Sequence, residues 1–159
     1  MMRDRSNLVK AGPVATVGSD ASNVLFDVWL ASRSATGVLD AALAEAGLTA
    51  DEFGIYSVLR GADGITPSDL ARWMCAPPTT VSSYVKRFEG RGHLRRDPNP
   101  DDGRSSLLRL TRDGARAQAR AATVFAPVLE AVQADLGSDE AAVRRALAAL
   151  ARALGSAAG

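Results

Sequence analysis

The chain is 159 residues long, a single-domain length with room for an appended helical module, and 19 Lys+Arg against 18 Asp+Glu leave a formal net charge of only +1. Hydrophobic residues at 47% supply a core and exclude disorder throughout, while one cysteine and one histidine exclude a disulfide framework and any zinc site of ordinary ligand number. No apolar run approaches the roughly 18 residues of a membrane span, and the first twenty residues have no apolar signal region, so a cytoplasmic protein without a membrane role is expected.

Aromatic residues are 5% of the chain and Ala, Leu, Arg and Glu abound, which favours a mainly helical fold. Residues 1–19 have no periodicity and read as a flexible arm. From Ser19-Asp20 the apolar residues Val24, Leu25, Val28, Trp29, Val38, Leu39 and Leu43 recur at helical spacing as far as Gly47, one long helix of about 25 residues. Thr49 and Glu52 form a capping box that opens a second helix, with Phe53, Tyr56 and Leu59 inward. Thr66-Pro67 starts a short third helix, and Pro78 starts a fourth that runs to Gly90 or Gly92.

The pattern then changes to two short extended segments, 93–96 and 106–110, around a turn-rich tip, Asp97-Pro98-Asn99-Pro100-Asp101-Asp102-Gly103. Thr111 caps a helix to Leu136. After Gly137 a last helix carries Val143, Leu147, Leu150 and Leu154 as one apolar stripe. Helix, helix, short helix, helix, hairpin is the order of a winged helix-turn-helix. The expected architecture is a mainly α chain with that DNA-binding domain at 48–111, a three-helix core plus a β-hairpin wing. Long N- and C-terminal helices, 20–47 and 112–159, lie outside that core, where an interaction module for dimerisation would sit, and Val24, Val28 and the last stripe are its candidate interface residues.

The small total charge hides a regional split. Residues 72–112 hold nine Arg and Lys against four acids, a local +5, whereas the rest of the chain holds ten cations and fourteen acids, a net −4. An electrostatic footprint for a polyanion belongs in that window. On a wheel of the fourth helix, Val81, Tyr84, Val85 and Phe88 face inward, and Thr79, Ser82, Ser83 and Lys86 lie opposite, with Thr80 and Arg87 on the flank. Small hydroxyls let a helix approach the floor of a major groove and bond either donors or acceptors there. Arg95, Arg96, Arg104 and Arg109 flank the hairpin. If the tip is a ribbon, Asp102 and Arg104 share a face, so the carboxylate can hold the guanidinium in a bidentate pair aimed at a minor groove.

Enzymatic readings fare poorly: a triad needs His93, which falls in a wing strand, and no phosphate-cradling glycine loop is present. Cys75 is expected to be inert and partly buried, and Trp29 and Trp73 to be packing residues. A winged helix that binds protein instead of DNA is the alternative, and the basic window with Asp102-x-Arg104 argues against it.

From about residue 20 onward the sequence resembles the MarR family of transcriptional regulators. Asp101-Asp102-Gly103-Arg104 through Leu110-Thr111 is similar to the family's wing-to-helix signature, and Pro78-Thr79-Thr80-Val81-Ser82-Ser83 through Glu89-Gly90-Arg91-Gly92 to its recognition helix and exit. The resemblance implies a homodimer that reads a pseudo-palindrome in double-stranded DNA, probing the major groove with Thr79, Ser82, Ser83 and Lys86. Pro78, Thr80 and Arg87 would lie nearer the backbone. Arg104, oriented by Asp102 and flanked by Arg95 and Arg96, would enter the minor groove. It also implies a repressor relieved by a small aromatic or lipophilic effector, with no cofactor. The chain departs from the family pattern at Ser83, where longer side chains are common, at Gly103, where a second wing arginine is common, and at His93, where an aliphatic residue usually stands.

Overall fold

A computed structural model describes residues 23–157, so the expected arm and the helix start at Ser19-Asp20 lie outside the described residues. Asn23 has extended backbone (φ −131°, ψ 162°), and its side chain accepts the amides of Leu25 and Phe26, each at 3.1 Å. That cap fixes the start of α1, Val24–Leu43, a 20-residue helix, because a helix cannot run unbroken through an extended residue. A single 3-10 turn, Ala44–Ala46, follows and stops at Gly47 in the left-handed region.

Helix α2 (Ala50–Gly61) opens on the expected capping box, with the Glu52 amide bound by the Thr49 hydroxyl and the Thr49 amide by the Glu52 carboxylate. Helix α3 (Pro67–Met74) begins at a Thr66 cap with Pro67 in its first turn and ends at Cys75, a non-glycine residue at φ +48°. Helix α4 (Pro78–Gly90) starts where Pro78 can lack an amide hydrogen at no cost. Strands β1 (Leu94–Pro98) and β2 (Ser106–Leu110) pair antiparallel, Leu94 opposite Leu110 and Pro98 opposite Ser106. The ribbon therefore runs two residues further into the expected tip than the sequence pattern indicated.

Thr111 caps α5 (Arg112–Leu136) by accepting the Gly114 amide at 3.1 Å and donating to the Gly92 carbonyl at 2.7 Å. A Cβ on Gly114 would lie 2.0 Å from the His93 carbonyl oxygen, so only glycine lets α5 start this close to the wing. A 3-10 turn (Gly137–Asp139) leads into α6 (Glu140–Ala157). Among the described residues no helix is long and apolar enough to cross a membrane.

The core lies inside the winged domain. Tyr56 of α2 meets Phe88 of α4 edge-on at 4.6 Å, and Ile55, Leu70, Val81, Val85 and Leu108 close around them. Burying each such side chain contributes about 1.5–3 kcal/mol, so α4 is held by its inner face while its outer face is left unconstrained. Ile65 and Leu108 exchange backbone hydrogen bonds (3.3 and 2.8 Å), which fastens the loop between α2 and α3 to the base of the wing. Phe53, expected inward, is only half-buried and meets Phe125 of α5 at 5.4 Å. Trp29 and Trp73, expected as packing residues, are 56% and 54% exposed, and Cys75 is exposed instead of partly buried. Trp29 stacks on Phe26 along α1, an outward-facing pair that the described chain does not cover.

Candidate nucleic-acid interface

The apolar stripe of α4 decides what its other side presents. With Val81, Val85 and Phe88 buried, Pro78, Thr79, Thr80, Ser82, Ser83, Lys86 and Arg87 are all exposed. Their hydroxyls are not equivalent. Ser83 donates to the Thr79 carbonyl at 3.0 Å, which commits its proton and leaves only its lone pairs to an incoming group. Thr79 and Ser82 make no side-chain hydrogen bond among the described residues, so both can donate and accept.

Arg87 is turned toward α2. Its guanidinium pairs with Glu52 at 3.1 Å and lies 5.4 Å above the Tyr84 ring, while Arg91 takes the second Glu52 oxygen at 3.1 Å. Glu52 is 2% exposed, and sequence reasoning did not find it as more than a cap. Burial pushes its carboxyl up, but the hydrogen bonds from Arg91, Arg87 and the Thr49 amide outweigh burial and hold it below the usual carboxylate range. Arg91 is raised in turn, chiefly by its bond to Glu52. The C-terminal end of α4 is thus tied to α2 by charge. A signal for Glu52 was present in the sequence only as its place on the inner face beside Ile55 and Tyr56.

The wing arginines divide into paired and unpaired. Arg95 bonds the Asp97 carboxylate at 3.0 and 3.2 Å, and Arg96 bonds Glu89 of α4 at 2.8 Å. Arg109 pairs with Asp97 at 3.2 Å and with Asp63 in the loop before α3. At the tip, residues 101–104 form turns, not paired strand, so Asp102 and Arg104 do not share a ribbon face. Asp102 accepts the backbone amide of Arg104 at 3.0 Å, and Asn99 and Ser105 brace the same turn through a 2.8 Å bond. The expected bidentate pair is replaced by an Asx-type turn that shapes the backbone beneath Arg104.

Of the nine cations in the basic window, six are held in internal ion pairs, counting Arg72 with Asp69. Lys86 on α4, Arg104 at the wing tip and Arg112 at the start of α5 have no ion pair among the described residues. The pairing leaves the unneutralised cations of the window on the outer side of α4, at the wing tip and at the start of α5. Between wing and α3 lies an open cleft of about 510 Å³ lined by Ser68, Arg72, Arg96, Asn99 and Arg104. No group of three or more His, Cys, Asp or Glu among the described residues is placed to hold a metal ion.

At the other end of the chain the apolar faces are largely uncovered among the described residues. No residue of α6 is buried; Leu147 is 56% exposed, Val143 and Leu154 are exposed with it, and Leu150 is partly covered. On α1, Val24 and Leu25 are exposed and Val28 half-buried.

Comparison with known proteins agrees with this architecture. Residues 48–106, from the turn before α2 to the start of β2, match the MarR family model. The multiple antibiotic resistance protein MarR of Salmonella typhimurium is 28% identical over 88 residues, 55% of this chain and 61% of that protein, so the chain spans about three fifths of that relative's length. An uncharacterized HTH-type transcriptional regulator of Bacillus subtilis, YdgJ, is 31% identical over 68 residues, 43% of this chain and 42% of that one. Among solved structures, the M. tuberculosis transcriptional regulator MosR in complex with DNA is 26% identical and superposes with a TM-score of 0.74, covering 86% of this chain and 98% of that one. The family comprises transcriptional regulators rather than enzymes. Over residues 48–106 the chain is therefore similar to the MarR family, and the fold around that segment is similar to that of MosR.

Proposed function

We propose that the chain is a sequence-specific DNA-binding transcriptional regulator, a repressor that acts as a homodimer on a pseudo-palindromic operator. The observation that carries this reading is the distribution of unpaired charge. Lys86 beside the free hydroxyls of Thr79 and Ser82, and Arg104 on the wing, lie on a winged helix-turn-helix while neighbouring arginines are neutralised internally. In the complex, α4 enters the major groove and Arg104 the minor groove, with Arg95 and Arg96 shaping the wing and Thr80, Pro78 and Arg87 near the backbone. The uncovered faces of α1 and α6 meet their counterparts in a second chain, which sets two recognition helices about 34 Å apart, one helical turn of DNA.

Release by a small aromatic or lipophilic effector belongs to the same proposal. Phe53 and Phe125 join the winged domain to α5, and a ligand that binds one angle between the modules better than the other shifts the spacing of the two α4 helices. The test is selection of bound duplexes from a randomised pool by the full chain. A shared motif with two inverted half-sites about ten base pairs apart supports the reading, and recovery of no enriched sequence contradicts it in favour of a winged helix that binds protein.

A further inference from the structure

We propose that Asp51 and Tyr84 are positioning residues for the reading of DNA sequence: the hydrogen bond between them fixes the roll of α4 about its own axis, and with it the direction in which Thr79, Ser82 and Ser83 face the bases. The inference rests on the DNA-binding reading above.

The core alone does not set that roll. Val81, Val85 and Phe88 anchor the inner face of α4, but apolar burial is non-directional and resists a small rotation weakly. Groups that bond at a set distance and angle resist it better. Among the described residues three side chains of α4 make such bonds to other elements: Tyr84 to Asp51, Arg87 to Glu52, and Glu89 to Arg96 of β1. The last two lie in the final turn of α4, and each depends on a long, flexible arginine stem. Over Pro78–Val85, where the exposed hydroxyls stand, Tyr84 makes the one side-chain hydrogen bond to another element among the described residues; Ser83 bonds only within its own helix.

Both ends of the Tyr84–Asp51 bond are held in place. The Tyr84 hydroxyl donates to the Asp51 carboxylate at 3.0 Å. Its ring is half-buried, tilted against Phe88 at 5.8 Å, with the Arg87 guanidinium 5.4 Å from its centre on α4. Burial and the bond to Asp51 push the phenol up from its ordinary value, so it stays a proton donor. Asp51 stands in the first turn of α2, beside the Glu52 cap, and the preceding Ala50 amide donates to Asp40 of α1 at 2.6 Å. The carboxylate is thus carried by a turn that is itself fastened to α1 and to α4.

Side chains of a helix end about 5–6 Å from its axis, so a roll of about 15° moves the Ser82 hydroxyl by about 1.5 Å. The useful range of a hydrogen bond spans only about 0.5 Å. A roll of that size breaks short hydroxyl contacts to base edges, whereas Lys86 and Arg104 follow their phosphates on long stems. Base contacts specify and phosphate contacts hold. Loss of the Tyr84–Asp51 bond is therefore a loss of sequence preference at nearly constant electrostatic affinity.

The test uses the full chain and two duplexes, the one selected from a randomised pool and a scrambled sequence of the same composition, each titrated at several salt concentrations. Tyr84→Phe keeps the ring and its packing, leaves the charge unchanged and removes the hydroxyl. It is expected to weaken binding of the selected duplex about three- to tenfold per half-site, the worth of one net hydrogen bond, while affinity for the scrambled duplex and the salt slope stay as in wild type. Asp51→Ala is expected to lower the ratio of the two affinities by the same factor, and Asp51→Asn, which keeps an acceptor, to preserve it. Tyr84→Phe with Asp51→Ala should lose no more than either alone, since both remove one bond. An unchanged ratio in Tyr84→Phe overturns the proposal. So does an equal loss on both duplexes that follows a fall in Tm, the mark of a merely structural contact. Should Asp51→Ala fail to fold, Tyr84→Phe against Asp51→Asn carries the comparison. A chain that selects no duplex contradicts the function proposed above; amide exchange along α4, expected to be faster in Tyr84→Phe and contradicting the contact if unchanged, then judges the Tyr84–Asp51 bond alone.

Discussion

Asp102 binds the backbone amide of Arg104, at 3.0 Å, and not its guanidinium. An Asn at 102 offers the same acceptor, whereas an Ala offers none. Asp102→Asn is therefore expected to bind DNA at least as tightly as wild type, having also lost a negative charge beside the duplex. Asp102→Ala is expected to bind about three- to tenfold more weakly, the worth of one net hydrogen bond that orders the tip. Anisotropy titrations of both variants check this; a loss in Asp102→Asn as large as in Asp102→Ala would restore a carboxylate–guanidinium pair.

Glu52 joins a helix cap to two ion pairs in one buried side chain. Glu52→Ala removes the reciprocal cap, about 1 kcal/mol, and leaves two arginines without their acceptor. Because those arginines are partly exposed, the total expected loss is about 2–3 kcal/mol in urea unfolding at neutral pH, below that of a fully buried pair. The folded carboxyl lies below the unfolded value of about 4.3, so its stabilisation is complete above that value and disappears as pH falls through the lower folded one. Glu52→Gln has no such proton to take up and should show a shallower decline in stability from pH 5 to pH 3. Matching slopes for wild type and Glu52→Gln would remove Glu52 from the acid response.

The apolar face of α6 is exposed along Val143, Leu147 and Leu154 although its residues are spaced as an inner stripe. Sedimentation equilibrium at micromolar concentration is expected to return a dimer for wild type and a monomer for Leu147→Glu with Leu154→Glu. The monomer should lose most of its DNA affinity, since one half-site remains. A wild-type monomer, or a dimer that survives both charges, contradicts the assignment of this face.

Much of the fold was legible because its punctuation is local. Thr49 with Glu52, Thr66 with Pro67, Pro78 and Thr111 each act within one helical turn, and each opens a helix where the sequence placed one. Exposure of Thr79, Ser82, Ser83 and Lys86 followed from the same periodicity that buries Val81, Val85 and Phe88. Long-range pairing was not legible. The partners of Glu52 lie 35 and 39 positions away, at Arg87 and Arg91, and the Tyr56–His93 contact spans 37. Counting charges in the window could not separate Arg95 and Arg96, each paired with an acid, from Arg104, which has no ion pair among the described residues. The tip misled for a different reason: period-two reasoning holds in a paired strand, and residues 101–104 are turns. Asn23 was overlooked as the cap of α1 because apolar spacing says where a helix buries its face and little about where it starts.

The salt dependence of DNA affinity is the most direct measure of the central claim, that Lys86 on α4 and Arg104 at the wing tip are the unpaired cations of those two elements that meet the duplex. Each phosphate neutralised contributes about −0.9 to the slope of log affinity against log salt concentration. Wild type should bind its selected duplex with a steep linear slope. Lys86→Ala with Arg104→Ala should flatten that slope by about two per chain, while Arg95→Ala, whose charge is already spent on Asp97, should leave it nearly unchanged. An unaltered slope in the double variant, or a flattening by Arg95→Ala as large, would contradict the account.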